Sequence, residues 1–272
     1  MSIFAFIIGA CLGSFANVIM TRLNALSLLS RSKCLCCGTA IRKRDNIPII
    51  SYLIRRGRCY TCQSRYSSSY ICIELAMGVI GLIVWGHVYD ANMPLYVSII
   101  KYALDIIVFT LLVCISAYDI RHKIVPPQLS LSLIIVGLIL SMNRLWMPHL
   151  EGLGYISMDN AFIEVLGGLL TATPYALLFI VSRGRWVGFG DVLVYAGVGW
   201  AFGLVAGISI FLSSIWIGSI FVMIWAYMHK GQNANMAKVE IPFAPFIALS
   251  ALLVYALHID ILGIESIIRY GL

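Results

Sequence analysis

The stretch Arg31–Cys62, RSKCLCCGTAIRKRDNIPIISYLIRRGRCYTC, carries two C-x-x-C pairs, Cys34/Cys37 and Cys59/Cys62, in a strongly basic setting. Immediately outside it the chain becomes apolar, and it stays so in run after run. Hydrophobic residues make up 61% of the 272 and charged ones only 11%, whereas soluble domains carry roughly 25% charged residues. The apolar runs are about 20 residues long, the length of helix needed to cross the hydrocarbon region. The chain therefore reads as an all-α polytopic membrane protein interrupted by one small polar domain.

Eight membrane helices are predicted, at 3–20, 71–89, 99–118, 128–147, 161–182, 189–206, 208–228 and 243–262. The narrowest gap, near Gly207, separates the sixth from the seventh. Residues 3–20 lack a basic leading flank and are followed by a basic one, so they are read as a retained helix and not as a signal peptide. The basic residues then orient the bundle. Sixteen of the 19 Lys and Arg fall in the loops 21–70, 119–127, 183–188 and 229–242. Only Lys101, Arg144 and Arg269 fall on the opposite face. The positive-inside rule places those four loops in the cytoplasm and both termini outside. Much of the net charge of +7 is thus a topology signal, with some attraction to anionic lipid. Nucleic acid is not expected as a partner, because loop 21–70 lacks the interleaved aromatics of a base-stacking surface.

Three domains follow: a first helix at 1–20, a cytoplasmic four-cysteine domain at 21–70, and a membrane bundle at 71–272. Cytoplasmic thiols are kept reduced, so the cysteines are not a disulfide framework. Two C-x-x-C pairs in one soluble loop can close a tetrahedral four-sulfur site, the geometry of structural zinc. Cys34, Cys37, Cys59 and Cys62 are the expected ligands, with Gly38 and Gly57 suited to tight turns beside them. A redox pair would need a thioredoxin-like unit that this loop cannot house. Cys36 is a spare thiol that could compete for the metal, and Cys11, Cys72 and Cys114 read as packing residues. Metal would fold a loop too small to build its own core.

Carboxylates in membrane helices are expensive and usually functional. The candidates are Glu74, Asp105, Asp119, Glu164 and Asp191. Asp119 closes the third predicted helix and Asp191 opens the sixth, both at the cytoplasmic face. Asp105, 14 residues before Asp119, would lie roughly 21 Å further out. Two carboxylates at one depth suit an aspartyl dyad in which one holds a proton and the other is ionised. The ionised one takes a proton from water attacking a peptide carbonyl, and the protonated one hydrogen-bonds the carbonyl oxygen. Gly188 and Gly190, just before Asp191, would let a substrate backbone approach. The alternative is plainer: Asp191 as a helix cap and dipole partner, and Asp119 paired with Arg121 or Lys123. The spacing of Gly9/Gly13 and of Gly199/Gly203/Gly207 suits close helix packing, within the bundle or in a dimer. The oligomeric state is left open.

Taken together, these residues resemble the bacterial type IV prepilin peptidases, membrane aspartic proteases with a G-x-G-D motif. The resemblance is carried by Gly13-Ser14-Phe15-Ala16-Asn17-Val18 with Arg22-Leu23, both cysteine pairs, Asp45-Asn46-Ile47-Pro48 and Arg56-Gly57-Arg58-Cys59. It continues through Ile73-Glu74-Leu75, Asp119 with Pro126, Gly188-x-Gly190-Asp191 and Ile241-Pro242-Phe243-Ala244-Pro245-Phe246. It implies Asp119 and Asp191 as catalytic residues, in a multi-pass protein of the bacterial inner membrane with its active site at the cytoplasmic face. It also implies prepilins or type II secretion pseudopilins as substrates, losing a short basic leader, and methylation of the new N-terminus from S-adenosylmethionine. The chain departs from the family pattern at Leu193, where a Lys is common, at Pro126-Pro127, where Asp or Asn often follows the first proline, and at Ala244, where Gly is common. Two other functions compete: a methyltransferase with a secondary peptidase site, and a non-enzymatic membrane assembly or transport protein docking partners through its zinc loop. A transporter should carry ionisable groups near mid-membrane on several helices; here the strongest motifs lie at one edge.

Overall fold

The computed structural model describes residues 1–23, 32–34, 36–91, 93–150, 158–229, 241–261 and 263, with backbone alone at 43–44, 146–150 and 158–164. Arg31, Lys230, Lys238 and Arg269, and the side chain of Glu164, lie outside the described residues. The described chain is helical: α1 (Ser2–Arg22), α2 (Ile50–Arg55), α3 (Ser69–Val88), α4 (Leu95–His122), α5 (Pro127–Leu150), α6 (Met158–Ser182), α7 (Phe189–Phe202), α8 (Leu204–Met228) and α9 (Ala244–Leu257). A single 3-10 turn, Lys43–Asn46, precedes α2. All eight predicted hydrophobic segments are helices, and α2 is an addition that their periodicity did not show. Six helices (α1, α3, α4, α5, α6 and α8) contain a stretch long and apolar enough to cross a membrane. At 14 residues each, α7 and α9 reach only about 21 Å, short of the roughly 30 Å hydrocarbon core.

The chain forms two units, Met1–Cys114 and Ile115–Leu272. In the first, α1 and α3 pack backbone to backbone. Any side chain at Gly9 would run into the Met77 carbonyl, and one at Gly13 would lie 2.9 Å from the Glu74 Cα. At the end of this seam Asn17 donates its amide to the Tyr70 carbonyl (3.2 Å). The Tyr102 hydroxyl of α4 donates to the Ala5 carbonyl (3.0 Å).

In the second unit, α7 and α8 form a hairpin with no loop. Gly203 alone joins them, at φ +85, a conformation costly to any residue with a Cβ. This ends α7 at Phe202, four residues before its predicted end. Gly199 and Gly207 flank the turn and both lie against Thr171 of α6, where an added Cβ would come within 2.6 Å of the hydroxyl oxygen. The expected small-residue packing is thus intramolecular. Likewise α9 stops at Leu257, before its expected end, because His258 turns left-handed and donates its N–H to Val254.

A helix that stops short inside the apolar layer leaves carbonyls with no water to bond. Arg144 of α5 answers this for α7, donating to the carbonyls of Trp200 (2.6 Å) and Ala201 (2.7 Å). Arg144, one of the three cations outside the four basic loops, is therefore structural. Arg144→Met should cost about 2–3 kcal/mol, the scale of lost charged hydrogen bonds with acceptors left behind. Thermal unfolding in detergent should show it as a lowered midpoint, and an unchanged midpoint would contradict the role.

Candidate active site and metal centre

Asp119 lies one turn from the end of α4. Lys123 stops that helix by turning left-handed (φ +53) and donating to the Asp119 carbonyl (2.7 Å). Pro126 and Pro127 follow, and Pro127 opens α5, where a missing N–H costs nothing. The Asp119 side chain is buried, 5% exposed. Its Oδ2 accepts the N–H of Ala244 (3.0 Å), the first residue of α9. One turn earlier on α4, Ser116 donates its hydroxyl to the Ala244 carbonyl (3.1 Å). Ala244 is thus clamped by α4 at both of its backbone groups, and a helix N-terminus faces the carboxylate. The Ile241–Phe246 segment belongs to the family resemblance, but nothing in the spacing of the sequence shows that Ala244 is the partner of Asp119.

Asp191 is the third residue of α7. The chain reaches it from α6 through a tight stop at Arg183 and Gly184, both left-handed, with Gly184 donating to the Phe179 carbonyl (2.9 Å). Gly188 caps α7 in extended conformation. A Cβ at Gly190 would lie 2.5 Å from the Val125 side chain. The bare glycine therefore lets the connection after Asp119 rest against the start of α7. This close approach brings together the end of α4, which carries Asp119, and the start of α7, which carries Asp191. At Gly188 the space is open: an added Cβ would meet only Asp191 Oδ2, at 3.5 Å. Of the two motif glycines, the first leaves room beside the Asp191 carboxylate and the second packs against Val125.

Beneath Asp191 lie two buried tyrosines. Tyr195, one turn along α7, shares a hydrogen bond with Ser214 of α8. Its ring is 4.4 Å from that of Tyr175, which in turn contacts Phe243 beside Ala244. Sequence reading missed both tyrosines, although the i, i+4 spacing from Asp191 to Tyr195 was there to find. Leu193 is half-buried on the same helix. His122 is exposed, its ring against Tyr118.

In the first unit the four predicted cysteines converge: the sulfurs of Cys34, Cys37, Cys59 and Cys62 all lie within 4.8 Å of one another. Each pair sits in the same small knuckle. Cys34 donates its N–H to the Thr39 carbonyl as Cys59 does to Ser64, both at 2.9 Å. Gly38 and Gln63 turn left-handed and donate back to Cys34 and Cys59. Lys33 bridges to Ala40 as Arg58 does to Arg65. Cys34 and Cys59 are buried, and Cys37 and Cys62 exposed. Across the centre, Cys34 and Cys62 are 3.8 Å apart and Cys37 and Cys59 4.0 Å. A tetrahedron with metal–sulfur bonds of about 2.3 Å has edges of about 3.8 Å, so the cluster could hold a metal with little adjustment. The backbone N–H groups of Cys37 and Cys36 pull the Cys34 thiol down to about 6, and Ser64 draws Cys62 down as well. Lowered thiols favour the thiolate that binds metal. Cys36 is exposed and shifts upward through its hydrogen bond to Cys62; it is not one of the four.

The model of the Bacterial Peptidase A24 N-terminal domain matches residues 7–88, which hold the four cysteines. That of the Type IV leader peptidase family matches residues 106–223, which hold both aspartates. The chain belongs to the type IV leader peptidase family. A protein of Stutzerimonas stutzeri named prepilin leader peptidase/N-methyltransferase is 28% identical, over 90% of this chain and 87% of that one. Proteins of the same name from Pseudomonas putida and Bacillus subtilis are each 27% identical. They cover 95% and 92% of this chain and 94% and 92% of their own lengths. No solved structure matches the chain.

Proposed function

We propose that this member of the family is a membrane aspartic endopeptidase that removes the basic leader from type IV prepilins or type II secretion pseudopilins and then methylates the new N-terminus. The observation that carries the peptidase reading is the contact of Val125 with Gly190, which draws the end of α4 bearing Asp119 to the start of α7 bearing Asp191. Two carboxylates so placed share one proton. The ionised member deprotonates the attacking water while its partner hydrogen-bonds the carbonyl oxygen as charge develops there. The Ala244 amide fixes the Asp119 carboxylate in place, so its geometry does not depend on substrate. The methyl group would come from S-adenosylmethionine. Zinc fits the four-cysteine centre best, because four thiolates in a tetrahedron are its usual structural set. In this reading residues 21–70 are the cytoplasmic metal-binding domain and residues 71–272 the peptidase bundle. The protein resides in the bacterial inner membrane with both aspartates at the cytoplasmic face.

The substrate then enters from the membrane plane, its apolar helix in lipid and its basic leader in water. The bond after the leader's last Gly comes to rest beside the dyad, where the open space at Gly188 admits its backbone and alignment supplies much of the rate. Purified protein incubated with prepilins and pseudopilins should release leader and add a methyl group, both read by mass spectrometry. Replacing the leader's last Gly by a bulky residue should block cleavage, whereas changing leader charge should chiefly slow capture. Equal cleavage of the bulky substrate, or of a soluble peptide lacking the apolar helix, would overturn this mechanism.

A further inference from the structure

The short helix α2 carries its apolar residues on the wrong face for a protein in water. Tyr52 and Arg55 turn inward: the Tyr52 ring packs on Gly57, and Arg55 pairs with Asp45 at 2.9 Å. Ile50, Leu53 and Ile54 turn outward and are 53%, 63% and 74% exposed. Three large aliphatic side chains on two turns of helix make a patch that needs a cover.

A tether to α3 sets the depth of this patch. The Ile49 N–H is held by the buried carboxylate of Glu74 at 2.7 Å. Ile49 itself adopts φ +62 and ψ −54, with Ile50 donating to the Pro48 carbonyl (2.6 Å). That is a three-residue γ-turn of the strained hand, rare for a β-branched side chain. The strain is held in place by the Glu74 bond. Glu74 is the sixth residue of α3, a helix long and apolar enough to span. Its side chain leans back toward the helix start. Ile49 is therefore fixed within about one turn of the level where α3 enters the apolar layer, and α2 begins at the next residue. The headgroup zone on each side of the hydrocarbon is only about 5–7 Å deep. Around α2 the exposed cations Arg42, Arg56, Arg58 and Arg65 supply charge of the sign that anionic headgroups attract.

We propose that α2 is an interfacial helix: Ile50, Leu53 and Ile54 dip into the headgroup–acyl boundary of an anionic membrane, and the arginines bind its phosphates. The four-cysteine domain is thereby laid on the bilayer and not suspended from flexible links. The inference requires only that α3 spans the membrane, and it stands whether or not the peptidase reading does.

Photo-crosslinking separates the possible covers. The full chain, with p-benzoylphenylalanine at position 54, 52 or 79 in turn, is reconstituted in vesicles containing phosphatidylglycerol and irradiated. Val79 lies on the exposed face of α3 and reports lipid contact; Tyr52 reports the domain interior. The expected result is a phospholipid adduct at 54 comparable with that at 79 and several-fold above that at 52. An adduct at 54 no greater than at 52, while 79 labels, would overturn the proposal. So would capture at 54 of another part of this chain, or of an added prepilin, in place of lipid.

Discussion

Asn in place of Asp119 or Asp191 abolishes leader removal, with a loss on the order of 10⁴-fold or more, the scale seen when one member of a catalytic unit is removed. Asn is the informative substitution because it preserves the fold. At position 119 the amide oxygen can still accept the Ala244 N–H, so the clamp between α4 and α9 survives. Ala at the same position would leave that buried donor unpaired at a cost of about 1–3 kcal/mol, and lost activity would then be ambiguous. The double Asn variant should be no worse than either single one, because groups acting as a unit are not additive. Cleavage by either single variant, with thermal stability unchanged, would remove the dyad assignment.

One zinc ion per chain is the second expectation, measured by elemental analysis of protein purified under reducing conditions. Cys34→Ser or Cys59→Ser should empty the site, since each removes the buried sulfur of its knuckle. Cys36→Ser should leave the metal in place. Structural zinc in small domains supplies apparent binding energies of about 10–16 kcal/mol at neutral pH, more than the loop could draw from its own packing. A chelator should therefore expose residues 32–66 to protease while α1 and α3, locked at Gly9 and Gly13, stay intact. Metal-free protein of normal protease resistance, or a disulfide among these cysteines, would contradict the centre.

Much of this architecture is legible in the sequence, because the length and apolarity of a membrane span impose it. A 20-residue apolar run has few alternatives to a helix, and all eight runs are helical. What escaped was set by single backbone choices. Gly203 was one of three evenly spaced glycines, and periodicity alone could not say that it, and not Gly207, breaks the helix. The metal ligands were legible because C-x-x-C geometry is local. The neighbours of the aspartates were not, since Ala244 meets Asp119 across more than a hundred residues and Val125 meets Gly190 across two intervening helices. Gly190 illustrates the limit: its motif was plain, but the side chain that requires it to be bare belongs to another segment. The γ-turn at Ile49 left no mark in the sequence, as nothing about isoleucine announces a left-handed residue.

The repeated knuckle has a practical consequence. From Lys33 to Ala40 and from Arg58 to Arg65 the same device occurs twice, so each described position in the first copy has a counterpart in the second. The chain carries its own internal control: a substitution can be made at either twin, and the difference isolates what surrounds the device from the device itself. The left-handed corner is the clearest case, filled by Gly38 in one copy and Gln63 in the other. The two halves of the centre are matched in backbone design and differ at this corner in the side chain they carry, so exchanging Gly and Gln between the twins reads the cost of a Cβ at one conformation in two settings.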